Sequence, residues 1–179
     1  MTTDADAEFT ALVERQSRFV FRVAYAVLLN AYDAEDAVQE TFLKLYRNRG
    51  WQQAENERAF LARVAWRVAV DLRRRSTPIV SSRAGTEHDD VTPSPHPGPD
   101  EALATSSEHA LVHAMIDALP EDLRVPLVLS TFEGLNSREI GRALDIPEGT
   151  VRTRLLRARQ ILRQKLEAMQ IKRQEIRHA

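Results

Sequence analysis

Residues 76–107, STPIVSSRAGTEHDDVTPSPHPGPDEALATSS, constrain the fold more than any other stretch of this chain. Five of the eight prolines fall there, with Ser, Thr and Gly filling the gaps. Such a run cannot bury enough apolar surface to offset the entropy of ordering it, so it predicts a flexible linker. A chain of 179 residues cut at this place becomes two small units, 1–75 and 108–179, in place of one ordinary domain. The linker is also acidic, with Glu87, Asp89, Asp90, Asp100 and Glu101 against Arg83.

On both sides of the linker, apolar residues recur at helical spacing. Phe9, Leu12, Val13, Phe19, Val20, Val23 and Val27 mark a first helix. Asp33 is expected to cap a second, with Val38, Phe42 and Leu45 facing inward. Phe60, Leu61, Val64, Val68 and Leu72 mark a third. After the linker, Leu111, Met115 and Leu119 form one helix. Leu123, Leu127, Val128 and Phe132 form the next, with Pro120 in its first turn. Pro126 lies inside that pattern, where it is expected to shift the helix start or to kink it. No segment alternates at period two, so the fold class is all-α: two small helical domains.

The net charge of −1 says little, but its distribution is uneven. Residues 58–75 hold six Arg against Asp71, a net +5, and residues 148–179 carry a net +6. Two basic blocks in a nearly neutral chain suit two contacts with a polyanion, or two solvated helix faces. There is no cysteine, which rules out disulfides, thiolate zinc and thiol catalysis and fits a cytoplasmic setting. The N-terminus is polar and acidic, unlike a signal peptide. The longest apolar run, Val20 to Leu29, is broken by Arg22 and is too short to insert in a membrane.

Near the C-terminus the pattern tightens. Gly134 is a plausible helix stop. Asn136, with Glu139 three residues on, forms a capping box opening a short helix with Ile140 and Leu144. Asp145-Ile146-Pro147-Glu148-Gly149 is a turn, in which Asp145 must take a positive backbone angle that glycine accepts more easily. Thr150 is expected to open a long helix with Val151, Leu155, Ala158, Leu162 and Leu166 inward. A short helix, a tight turn and a basic second helix are the parts of a helix-turn-helix; the alternative is an ordinary hairpin with a solvated basic face. In the major groove, the first residues of the second helix would meet base edges: Thr150, Arg152, Thr153 and Arg154. Arg157, Arg159 and Arg163 are placed for phosphates. The tail from Met169 to Ala179 continues a basic helical pattern.

These residues resemble a known family. Leu119-Pro120-Glu121-Asp122-Leu123-Arg124, Phe132-Glu133-Gly134-Leu135, Glu139-Ile140-Gly141 and Ile146 through Leu155 with Arg157-Ala158-Arg159 are similar to region four of extracytoplasmic-function (ECF) sigma factors. Asp33-Ala34-Glu35-Asp36-Ala37-Val38-Gln39-Glu40-Thr41-Phe42-Leu43 resembles the part of region two that grips RNA polymerase. Phe60 through Ala65 and Val68 through Arg74 resemble its promoter-melting helix. The resemblance covers residues 9–75 and 108–166 and implies a promoter-specificity factor. Its partners would be core RNA polymerase (clamp coiled coil and flap), promoter DNA and an anti-sigma factor. No cofactor and no metal are implied.

Asp36, Gln39, Glu40 and Leu43 recur at three- and four-residue spacing and so share a helix face. The resemblance makes that face the polymerase contact. Asp33, by contrast, suits the helix dipole. The loop 48–56 lies where the family holds a flipped promoter base. Trp51, Gln52, Gln53 and Asn56 have the chemistry to stack on it and bond its edge, or Trp51 pins the loop to the core. On the melting helix, Arg63, Arg67 and Arg74 are the cationic candidates for the minus-ten element. Arg67, preceded by Trp66, stands where the family often has Asn, so its minus-ten preference does not transfer simply. Trp66 itself suits a core or interface aromatic.

Other function classes fit less well, a pure protein-interaction adaptor because of the basic second helix of the helix-turn-helix. An enzyme needs a nucleophile, base and orienting group, or a metal. Only His109 and His113, four apart, offer a metal pair; they lack a third ligand, and no Gly-rich phosphate loop is present. No catalytic residue is therefore assigned. A stand-alone helix-turn-helix regulator would explain residues 108–166 but leave the Asp36–Leu43 face without purpose.

Overall fold

The computed structural model describes residues 4–76 and 107–177. They form seven α-helices and one turn of 3₁₀ helix, with no strand among the described residues. The chain divides into two compact units, Met1–His96 and Pro97–Ala179. Residues 77–106, which hold nearly all of the expected linker, lie outside the described residues.

The first unit is a three-helix bundle of α1 (Asp4–Leu28), α2 (Ala31–Asn48) and α3 (Glu57–Ser76), each packed on the other two. Leu12, Phe19, Val20, Val23 and Val27 of α1 are buried at the spacing that puts them on one stripe. Ala34 and Ala37 of α2, and Ala62, Ala65 and Ala69 of α3, are also buried. Their short side chains allow close helix approach, while Phe42, Leu45, Leu61 and Val68 fill the space between. Burying each of the larger side chains contributes about 1.5–3 kcal/mol. At the entry to α3, Arg15 reaches Glu57 at 2.6 Å and Arg58 lies over the Phe19 ring at 4.9 Å.

The start of α2 corrects the sequence expectation. The cap is Asn30, whose Oδ1 accepts from the Asp33 N–H at 3.1 Å; Asp33 sits inside the first turn. Leu29, at φ 53°, turns the chain between α1 and α2.

The second unit contains α4 (Ser107–Asp117), α5 (Glu121–Thr131), α6 (Ser137–Leu144) and α7 (Glu148–Arg177). Helix α7 packs on all three others. Helix α5 is buried along Leu123–Leu129, with Pro126 fully enclosed; its start is not displaced by the proline, and Pro120 stands at the cap before it. Arg124 is also buried, 6% exposed. Its Nη1 donates to the carbonyls of Asp117 at 3.0 Å and Leu119 at 2.6 Å, where α4 has run out of its own donors. Gly134 takes a φ of 67° beyond α5, as a chain-reversing glycine does. Two details differ from expectation. Helix α7 begins at Glu148, before Thr150, and Leu166 is 38% exposed because the buried stripe of α7 ends at Ala158.

Candidate nucleic-acid and protein interfaces

The helix-turn-helix is α6, the turn at 145–147 and α7. Asn136 Oδ1 accepts from the N–H groups of Arg138 and Glu139, both at 3.0 Å. Glu139 returns a carboxylate to the Asn136 N–H at 2.7 Å, closing the capping box. Asp145 sits at φ 57°, ψ 45°, the left-handed angle that the turn demanded. The angle between the two helices is fixed by a close approach. The Ile146 N–H donates to the Gly141 carbonyl at 3.0 Å, and Gly141 has no side chain to keep the turn away.

On α7, Val151, Leu155 and Ala158 are buried, so the face between them and solvent is rigidly held. Arg152 and Thr153 are exposed, as are Arg157, Arg159 and Arg163. Thr150 is half-buried. Arg154 is half-buried and turned toward its own unit, 3.9 Å from Asp122 of α5. Thr153 bonds back to the Gly149 carbonyl at 3.0 Å. The structure adds two features that sequence reading did not single out. Leu156 is 69% exposed among the arginines. Glu148 joins Arg152 to Arg138 of α6, the latter at 3.7 Å. The inward row of α7 already places Leu156 outward, and Glu148 lies four residues before Arg152; its reach to Arg138 of α6 crosses the turn and shows only in the folded motif.

In the first unit, Asp36, Gln39 and Leu43 are exposed on one face of α2, with Leu43 at 56%. Tyr32 and Tyr46 extend the same stripe and are 76% and 44% exposed. Glu40 differs from its neighbours. It is half-buried and bonded to Lys44 at 3.0 Å and to Arg75 of α3 at 3.1 Å. Burial raises its pKa, but the two cations outweigh burial and hold the carboxyl below its ordinary range.

The loop between α2 and α3 is a 3₁₀ turn, Gly50–Gln53. Trp51 is buried at 9% exposure, its ring 6.2 Å from Phe9, so it anchors the loop. Gln52 and Gln53 are exposed, and Gln52 reaches Glu8 at 3.3 Å. Asn56 caps α3, accepting from the Ala59 N–H at 2.9 Å. Along α3, Arg67 and Arg74 are exposed, while Arg63 and Trp66 are half-buried. Arg73, Arg74 and Arg75 concentrate positive charge at this helix end, and burial, then the neighbouring Arg74, lowers the pKa of Arg73. Of the two histidines weighed as metal ligands, His113 stacks on Phe132 with ring centroids 5.9 Å apart.

The family described as Sigma-70 region 2 matches residues 12–78, and Sigma-70, region 4 matches residues 109–162. The ECF RNA polymerase sigma factor SigE of Mycolicibacterium smegmatis is 36% identical over 152 residues, 85% of this chain and 59% of that protein. SigW of Bacillus subtilis, another ECF RNA polymerase sigma factor, is 30% identical over 91% of this chain and 90% of its own length. Among solved structures, CnrH in complex with the cytosolic domain of CnrY is similar with a TM-score of 0.63 at 22% identity, covering 93% of this chain and 92% of that one. The sigma factor RpoE in complex with the anti-sigma factor NepR, from Bartonella quintana, gives 0.63 at 19% identity over 89% and 97%. At those identities the structures speak for the fold alone. A shared helix-turn-helix would extend over the second unit only, whereas the likeness to SigW runs through both units in order, and the chain belongs to the extracytoplasmic-function RNA polymerase sigma factors.

Proposed function

We infer that this chain binds core RNA polymerase through the first unit and directs it to promoters whose two elements are read by the two units separately. The observation that carries this reading is the face of α2 bearing Tyr32, Asp36, Gln39 and Leu43. Its exposed apolar side chains beside acceptors suit a basic, amphipathic partner helix. In the family that partner is the clamp coiled coil, and the second unit would rest near the flap. A stand-alone regulator has no use for this face and is not favoured. Glu40 takes part indirectly, by tying α3 to α2 through Arg75.

The DNA roles follow from exposure. At the upstream element, Arg152 and Thr153 face base edges, while Arg157, Arg159 and Arg163 neutralise phosphates and so make binding salt-dependent. At the minus-ten element, Gln52 and Gln53 offer donors and acceptors to an unstacked base, with Arg67 and Arg74 along the strand. Arg63, half-buried on the same helix, is less available to DNA than these two. Trp51 holds the loop from inside, and Asn56 fixes the start of α3. The chemistry of RNA synthesis stays with the polymerase, so the chain itself is not an enzyme. Two solved structures of similar fold hold a partner, the cytosolic domain of CnrY in one and the anti-sigma factor NepR in the other, and this chain is proposed to be held by an anti-sigma factor as well.

The test is assembly with core polymerase. Asp36→Arg combined with Leu43→Glu alters two exposed positions, which leaves stability nearly unchanged. The variant should lose core association and promoter-directed transcription while its melting temperature is kept. Unaltered affinity for core enzyme would remove the assignment of this face.

A further inference from the structure

Glu148 is an acidic residue where a DNA-reading surface has least use for one. It occupies the first turn of α7, four residues before Arg152, and its side chain is 34% exposed. Oε1 accepts from Arg152 Nη2, and Oε2 faces Arg138 Nε at 3.7 Å. One carboxylate thus spans both helices of the motif. The two arginines it holds are exposed, at 70% and 73%. With Asn136 and Ser137 they line an open groove of about 360 Å³ between the starts of α6 and α7.

Three consequences follow from elementary electrostatics. A negative charge beside duplex phosphates weakens binding to any DNA, whatever its sequence. A guanidinium carries five N–H donors, and Glu148 engages Arg152 through one terminal nitrogen, leaving the other donors of the fork free. An arginine already held in one rotamer loses less freedom when it grips a guanine edge through two bonds. The carboxylate therefore costs affinity for all sequences and adds discrimination for one.

We propose that Glu148 is a positioning residue for promoter reading, fixing the Arg152 fork toward a single base pair of the upstream element and holding Arg138 beside it. This rests on the reading of α7 as the helix that enters the upstream element. It goes beyond that reading by assigning specificity to a residue that does not itself need to touch a base.

The sign of two effects tests it. Full-length chain assembled with core RNA polymerase is bound to a pool of duplexes randomised over the upstream element, and matched and scrambled duplexes are then titrated. Glu148→Gln should raise affinity for scrambled duplex several-fold and lower discrimination at the Arg152-dependent base pair about tenfold. In an Arg152→Ala background, Glu148→Gln should remove no further discrimination at that pair. A residue that only complements the helix dipole would instead lower the melting temperature and weaken matched and scrambled duplexes alike. That outcome overturns the proposal, as does an equal loss of discrimination with and without Arg152. If Arg152→Ala alone leaves every base pair as well read as before, the base-reading role of Arg152 fails first, and the positioning role with it. Should Glu148→Gln not fold, Glu148→Asp keeps the charge but shortens the reach. It carries the same expectation for discrimination, without the gain on scrambled duplex.

Discussion

Replacing Gly141 with alanine tests how the helix-turn-helix is held together. A Cβ at this position would lie 2.8 Å from the Ile146 carbonyl oxygen, 3.5 Å from the Glu148 nitrogen and 3.7 Å from the Glu148 Cα. All three are backbone atoms, so no side chain can swing aside. The turn cannot easily retreat either, because Ile146 N–H is bonded back to the Gly141 carbonyl at 3.0 Å. Overpacking of this kind costs about 1–3 kcal/mol. Alanine regains about 1 kcal/mol of helix propensity over glycine. The hard contact places the cost toward the upper part of its range, for a net loss of about 1–2 kcal/mol. In a unit of this size that lowers the transition by about 5–10 °C. Gly149→Ala is the matched control, since nothing lies within 4 Å of its added carbon. It should be neutral or stabilising by up to about 1 kcal/mol. Scanning calorimetry of the full chain reads the second unit. Trp51 and Trp66, and Tyr25, Tyr32 and Tyr46, all belong to the first, so a tryptophan fluorescence melt serves as an internal reference that should stay in place. A Gly141→Ala transition at or above that of the parent would refute the close-approach argument.

Two further outcomes are expected. Arg124→Met keeps the apolar volume of a buried side chain but leaves the Asp117 and Leu119 carbonyls without their donor. It should cost about 1–3 kcal/mol for each carbonyl that loses this donor and speed amide exchange around residues 115–123, as seen by calorimetry and hydrogen exchange. Glu40 should titrate below its ordinary 4.5 in the folded chain. A depressed folded pKa means that its contribution is present above the unfolded value and lost as pH falls through the folded one. Arg75→Ala should therefore move the Glu40 titration upward, as followed by NMR, and flatten the acid side of the stability profile. An unmoved titration would leave Lys44 as the cation that holds it down and remove Arg75 as a contributor.

What could be read from the sequence was what is local along the chain. The capping box at Asn136 and Glu139, the left-handed Asp145 and the inward row of Val151, Leu155 and Ala158 depend on neighbours within four residues. Local competition was resolved less well. Asn30 and Asp33 both have capping side chains, and the one preceding the apolar pattern by a full turn is the cap. Contacts distant in sequence were not legible at all. Glu40 and Arg75 are 35 residues apart, so four residues assigned to one exposed face turned out to be three, with the fourth drawn to α3. The sequence of the loop allows Trp51 to face either solvent or core, and the ring of Phe9, distant along the chain, draws it inward.

Helix α7 carries the packing of its unit on one side of its cylinder and, in the proposed function, the reading of DNA on the other. Val151, Leu155 and Ala158 are enclosed, while Arg152, Thr153, Leu156 and Arg157 are exposed. Substitution on the outer side costs little stability. After a gene duplication, two copies could therefore diverge in the sequences they recognise while keeping the same body and the same hold on a shared machine. Such a helix separates the inheritance of a fold from the inheritance of an address.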